Sequence, residues 1–107
     1  GPAVLKRNGK IYVTFSASAT GACYCMGMLT LKNDDVMKPK SWVKSINKIY
    51  AKKPYDNIYH TGHCSFLYRD DGIYMVFHAT DSEDFDKKRR CTYIRKLNFI
   101  GDCPVSV

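Results

Sequence analysis

Acidic residues come in groups along this chain: Asp34-Asp35, Asp70-Asp71, and then Asp81, Glu83, Asp84 and Asp86. Paired carboxyls suit general acid–base chemistry, one protonated to donate and one ionised to accept. Each group nevertheless sits among turn signals, with Asn33 before the first pair and Gly72 after the second. Acids in such places close turns through side-chain-to-backbone hydrogen bonds. They read as turn formers and solvated charge, and no catalytic residue is assigned to the chain. His60 and His63 form H-x-x-H, far downstream of Cys23 and Cys25 in C-x-C. Tetrahedral zinc sites favour wider cysteine knuckles, so zinc is not expected. Cys23 and Cys25 share one face of a strand and do not readily bridge each other. Cys23, Cys25, Cys64 and Cys91 therefore read as small buried strand residues. The odd total of five cysteines reads as a reduced, intracellular set, with a disulfide through Cys103 left open.

Basic residues offer a second chemistry, because the net charge is +7. Lys87-Lys88-Arg89-Arg90 is the one true cluster, and it directly follows the acids of 81–86. A mixed-sign loop of that kind is a solvated, salt-screened segment. No RNA- or DNA-binding signature accompanies it, so nucleic acid is not an expected partner.

The elements that carry these residues are strands. A length of 107 residues makes one domain at most, enough to hide roughly two-thirds of the unfolded surface. Hydrophobic residues at 45% and aromatics at 13% exclude a disordered chain. No apolar run approaches the ~18–20 residues of a membrane helix, and no membrane partner is expected. Gly1-Pro2-Ala3 lacks the charged and apolar regions of a signal peptide, so either the start was removed or the chain begins mid-protein.

Residues 10–18 alternate, with Ile11, Val13 and Phe15 on one face and Tyr12, Thr14 and Ser16 on the other. Asn8-Gly9 is a two-residue hairpin signal and makes 3–6 the partner strand. Further strands are expected at 23–31, where Gly27 suits a bulge or a close approach, and at 42–45. Residues 46–59 hold Pro54 and no clear period, and read as a connection. A hairpin over 64–68 and 73–79 turns at Asp70-Asp71-Gly72, a charged loop spans 81–89, and 91–99 is a last strand. No segment keeps a helical period for ten residues, so the class is all-β. Four strands before the connection and three after it fit two propeller blades or a small sandwich.

Several stretches read together are more specific. They are Gly-Pro-Ala-Val-Leu-Lys-Arg-Asn-Gly-Lys-Ile-Tyr at 1–12, Thr-Phe-Ser-Ala-Ser at 14–18 and Tyr-Cys-Met-Gly-Met-Leu at 24–29. Ser-Trp-Val-Lys-Ser follows at 41–45, Gly-His-Cys-Ser-Phe at 62–66 and Tyr-Met-Val-Phe-His-Ala at 74–79. In this order and spacing the chain resembles glycoside hydrolase family 43, in particular its α-L-arabinofuranosidase type, from Gly1 to about Pro104. The resemblance implies a five-bladed β-propeller of antiparallel four-stranded sheets. The chain would be its C-terminal part: one domain over 1–107, with blade-like units at about 1–46 and 60–107.

The resemblance also implies an activity. It is inverting hydrolysis of O-glycosyl bonds, removing α-L-arabinofuranosyl or β-xylosyl residues from arabinose- or xylose-containing plant polysaccharides or oligosaccharides. In the family a general-acid Glu stands directly before Gly1-Pro2, and two functional Asp residues lie in earlier blades. The implied partners are thus the missing N-terminal blades of the same protein, and the chain alone is expected to be inactive. His63 matches a histidine that points into the propeller channel near a cation, which implies a structural, calcium-like ion there. Without the resemblance, His63 reads as a hydrogen-bonded core residue. Arg90 matches a sugar-contacting arginine, although Arg89 adjoins it and Cys91-Thr92-Tyr93 stands where the family commonly has His-Thr-Arg. Ser18, with Ser16 and Thr20, is expected either at the pocket mouth, where Ser18 would touch substrate, or in turns and strands. Tyr24 and Tyr59 either stack on sugar or pack. The family is often secreted. A non-catalytic carbohydrate-binding or interaction module of the same fold is the alternative reading, and a polyanion-binding domain a third.

Overall fold

The computed structural model describes residues 1–84, 86 and 89–105. Strands β1 (Ala3–Arg7), β2 (Lys10–Ala17), β3 (Cys25–Leu31) and β4 (Trp42–Lys44) form one antiparallel sheet in chain order. Asn8 and Gly9 turn the first hairpin with φ of 46° and 76°, the paired left-handed geometry that makes Asn-Gly a hairpin signal. A second antiparallel sheet joins β5 (Tyr59–Arg69), β6 (Gly72–Thr80) and β7 (Arg90–Lys96). A short hairpin, β8 (Asn98–Ile100) and β9 (Cys103–Val105), closes the described chain. Among the described residues the only helical segments are 3₁₀ turns at Pro39–Ser41 and Pro54–Asp56, and no helix is long and apolar enough to cross a membrane.

The core lies where β1, β2 and β3 meet β5. Alternation sends Leu5, Tyr12, Thr14, Met26 and Met28 inward from the first sheet, and Met75, Phe77 and Ala79 inward from β6. Of the two faces of β2, the one carrying Tyr12 and Thr14 is the buried one. Its polar atoms are satisfied: the Tyr12 hydroxyl donates to the Asp102 carbonyl at 2.8 Å, and Thr14 Oγ1 lies 3.1 Å from Cys64 Sγ. Burial without such partners would cost about 1–3 kcal/mol per group.

The connection at 45–58 contributes more than a link. Ile49, Tyr50 and Ile58 are buried in the core, and Tyr50 packs on Phe77 with ring centroids 4.6 Å apart. Backbone bonds from Met26 N–H to Tyr50 O and from Ile49 N–H to Met26 O, each 2.9 Å, dock it on β3. Each such side chain adds roughly 1.5–3 kcal/mol of burial, and none shows a period because each is placed singly.

Three strand expectations shift. The third strand begins at Cys25, so Cys23 lies outside it and is exposed, and Cys91 is only half-buried, while Cys25 and Cys64 are buried. The expected last strand divides at Leu97, whose side chain turns into the core while its N–H donates to Ile73 O at 2.9 Å. The first strand of the second hairpin starts five residues earlier than its expected position, at Tyr59. Within the basic cluster and the expected second unit, Phe85, Lys87, Lys88, Ser106 and Val107 lie outside the described residues.

Candidate functional site

The early start of β5 comes from two irregularities. Its register against β6 slips between Tyr59 and Gly62 and again between Gly62 and Ser65. His60 and His63 sit at these slips with φ of 48° and 49°, left-handed values that cost a side-chain-bearing residue of order 1 kcal/mol or more. Bulges re-aim side chains where a regular strand would alternate them. The outcome is two histidines with opposite fates. His60 is buried, its Nδ1 2.6 Å from Thr80 Oγ1, whereas His63 is exposed.

Around His63 the two sheets converge. Its backbone N–H donates to Ser16 Oγ at 2.8 Å, and its Nδ1 lies 3.4 Å from the Gly1 nitrogen. A Cβ on Gly1 would meet the imidazole at 2.7 Å. On the β6 side, the His78 ring lies 6.3 Å from that of His63, and the Tyr24 ring 5.9 Å from that of His78. His78 is held below the usual imidazole range, chiefly by burial and further by the positive charge of Arg90. It is therefore neutral at physiological pH, and its Nδ1 is buried without a hydrogen-bond partner.

Arg89 and Arg90 part company here. Arg89 is engaged by Asp81: its N–H donates to Oδ1 at 3.0 Å and its Nε to Oδ2 at 3.2 Å. That hydrogen bond from the Arg89 backbone is the main reason the Asp81 carboxyl sits below its usual range. Arg90 opens β7 opposite Thr80 and is exposed, near enough to His78 to depress it. Ser18 lies apart from this group. It is exposed, with φ of 67°, and lines a groove of about 230 Å³ with Phe15, Gly27, Lys44 and Lys48. Neither His63, His78 nor Arg90 borders that groove. Ser16, two residues earlier, is the serine that reaches His63.

Asp35, Asp71 and Glu83, one from each acidic group, serve turns and ion pairs. Asp35 accepts from the Met37 N–H and pairs with Lys38, Asp71 pairs with Lys96 and accepts from the Tyr74 hydroxyl, and Glu83 pairs with Lys52. Among the described residues, no carboxylate hydrogen-bonds or ion-pairs with His63 or His78. Nor do three His, Cys, Asp or Glu side chains gather there as a metal-binding group. Sequence reading assigned no role to His78. The available signal was the two-residue period of β6, which sets His78 opposite to buried Met75 and Phe77.

Comparisons with known proteins agree with this geometry. The family model described as glycosyl hydrolases family 43 matches residues 1–103. "Alpha-L-arabinofuranosidase 43" of Humicola insolens is 40% identical over 95% of this chain, which covers 23% of that relative. "Extracellular exo-alpha-(1->5)-L-arabinofuranosidase" of Streptomyces avermitilis is 38% identical over 95% of this chain, again covering 23% of the relative. The solved structure of an alpha-L-arabinofuranosidase from Lactobacillus brevis superposes with a TM-score of 0.86 at 33% identity, over 96% of this chain and 34% of that one. The chain thus spans about a quarter of the curated relatives it matches. Its four-stranded and three-stranded sheets correspond to roughly two blades of a five-bladed β-propeller, the second with three described strands where four were expected.

Proposed function

The chain belongs to glycosyl hydrolase family 43, and on that premise we propose that it forms one side of the sugar site of an inverting arabinofuranosidase. The whole polypeptide removes α-L-arabinofuranosyl, or β-xylosyl, residues from arabinose- or xylose-containing plant polysaccharides. The observation that carries this reading is His63, held left-handed at the second register slip of β5, exposed, and in contact with Gly1. The family resemblance sets the general-acid Glu directly before Gly1, so that acid would enter the site beside His63.

Inversion needs a protonated carboxyl on one side of the sugar and a carboxylate activating water on the other, ~6.5–9.5 Å apart. The described carboxylates with hydrogen-bond or ion-pair partners are committed to turns and cations, so the chain's own share is positioning. Arg90 is the arginine to offer its forked guanidinium to sugar hydroxyls or a carboxylate, because Asp81 occupies Arg89. Ser18 would touch substrate only where a longer saccharide extends over the β2–β3 loop. The calcium-like ion implied near His63 would need six to eight oxygens, whereas the described neighbours of His63 offer mainly imidazole nitrogen. His63 would thus be one contact of a site completed by oxygens from elsewhere, and no catalytic step depends on it. Export from the cell accords with the Streptomyces avermitilis relative, which is named an extracellular enzyme.

The test is hydrolysis of 4-nitrophenyl α-L-arabinofuranoside and the matching β-xyloside by the full polypeptide that carries this chain. Turnover that falls at least tenfold in Arg90→Ala supports the reading. Absence of turnover on both substrates, with arabino-oligosaccharide still bound, replaces it by the non-catalytic binding module.

A further inference from the structure

Gly62 is a glycine without a conformational reason to be one. Among the glycines, left-handed φ values occur at Gly9, Gly72 and Gly101 and not at Gly62. What Gly62 supplies is room: a Cβ there would overlap the ring and hydroxyl of Tyr24. Glycine in a strand commonly marks such a close approach. Tyr24 comes from the other sheet, at the end of the β2–β3 loop, where its N–H donates to Gly21 O at 3.0 Å. It crosses to β5 and seats its ring on the bare backbone of Gly62, whose partner across the ladder is His78.

The seat aims Tyr24 at the histidines. Its ring is tilted 33° to that of His78, with His63 next in line. Tyr24 is only half-buried, and its hydroxyl makes no hydrogen bond among the described residues. His78 Nδ1 is likewise without a partner. A ring face bordered by unspent polar groups suits a sugar, which presents C–H bonds on one face and hydroxyls at its edges.

We propose that Tyr24 is a substrate-contacting wall of the pentose site and that Gly62 is the positioning residue that makes space for it. This rests on the sugar-site reading above. The wall follows from one geometric fact, that the Tyr24 ring fills the space a side chain on Gly62 would need.

The variants Tyr24→Ala, Tyr24→Leu, Tyr24→Phe and Gly62→Ala, and the double Gly62→Ala/Tyr24→Ala, are made in the full polypeptide and checked by thermal melting. Tyr24→Leu fills the seat without a ring, so it separates loss of the wall from loss of folding. Expected are a KM for the aryl arabinofuranoside raised roughly three- to tenfold in Tyr24→Ala, Tyr24→Leu and Gly62→Ala, with kcat little changed. Tyr24→Phe keeps the ring face and loses only the hydroxyl, so its KM should rise less than that of Tyr24→Leu, and the double variant should be no worse than Tyr24→Ala. Unchanged KM in folded Tyr24→Leu and Gly62→Ala overturns the proposal. If the wild type turns over neither substrate, the same proteins are titrated with α-1,5-arabinotriose by calorimetry. Binding lost in Tyr24→Leu and Gly62→Ala but kept in Tyr24→Phe then supports the wall while the hydrolase reading fails. No binding by the wild type overturns both.

Discussion

The backbone N–H of His63 donates to the hydroxyl of Ser16 at 2.8 Å, and this bond ties the bulged end of β5 to the end of β2. It fixes a residue whose left-handed φ of 49° is unfavourable for a side chain with a Cβ. Ser16→Ala should lower stability by about 0.5–1.5 kcal/mol, measured by urea unfolding. His63→Gly should leave stability equal or higher by up to about 1 kcal/mol, because glycine adopts that φ without strain. If His63→Gly unfolds the protein, the strain assignment is wrong.

Asp102 clasps the final hairpin to the first. Asn8 Nδ2 donates to its Oδ1 at 2.7 Å, Arg7 pairs with the same oxygen at 3.6 Å, and the Arg7 guanidinium lies 4.1 Å over the Phe99 ring. Asp102→Ala should cost roughly 1–2 kcal/mol, discounted for partial exposure. Amide exchange at 98–105 should rise more than exchange in β6. A uniform rise across both sheets would mean that the hairpin does not open separately.

Cysteine reactivity should divide by burial. The Cys64 thiol is pushed above its usual 9.0 by burial, opposed by the Thr14 hydroxyl, so it stays protonated well into alkaline pH. A thiol whose folded pKa is raised contributes stability that is present below the unfolded pKa and lost as pH rises through the folded one. Iodoacetamide at pH 8 should therefore label exposed Cys23 and Cys103 first, and leave Cys64 until unfolding. Stability should decline above about pH 9; Cys64→Ala should remove the onset of that decline, and the part at higher pH, where buried Tyr50 and Tyr12 ionise, should remain. Equal labelling of all five thiols in the folded chain would contradict the packing.

Much of this arrangement was legible before the structure, and the rest was not, for identifiable reasons. Asn8-Gly9 announces its hairpin because few residues tolerate two left-handed positions. The period of β2 separates its faces, but a face of tyrosine and threonine looks polar until Asp102 and Cys64 supply its partners. Ile49, Tyr50 and Ile58 enter the core from a connection without period, so no local pattern announces them. At the site, the Gly-His-x-Ser-Phe motif marks His63. The bond to Ser16, the capture of Arg89 by Asp81 and the seat of Tyr24 on Gly62 join residues 47, 8 and 38 positions apart, and pairings of that kind emerge only on folding.

Both outward sheet faces carry apolar rows. Val4, Val13 and Leu29 align across the first sheet, and Val76 and Ile94 across the second, with Val4 and Ile94 each 52% exposed. Such rows seek cover, so the 107-residue chain by itself should self-associate in sedimentation velocity at micromolar concentration. Val4→Lys with Ile94→Lys should shift it toward monomer. A monodisperse wild-type monomer would show that these faces need no partner.

The most direct measurement of the central claim is the release of arabinose from 4-nitrophenyl α-L-arabinofuranoside, followed by proton NMR, with the 107-residue chain alone and with the full polypeptide that carries it. The account predicts no turnover by the chain alone and, by the full polypeptide, a first-formed product of inverted, β configuration. Turnover by the isolated chain, or an α-configured first product, would contradict it.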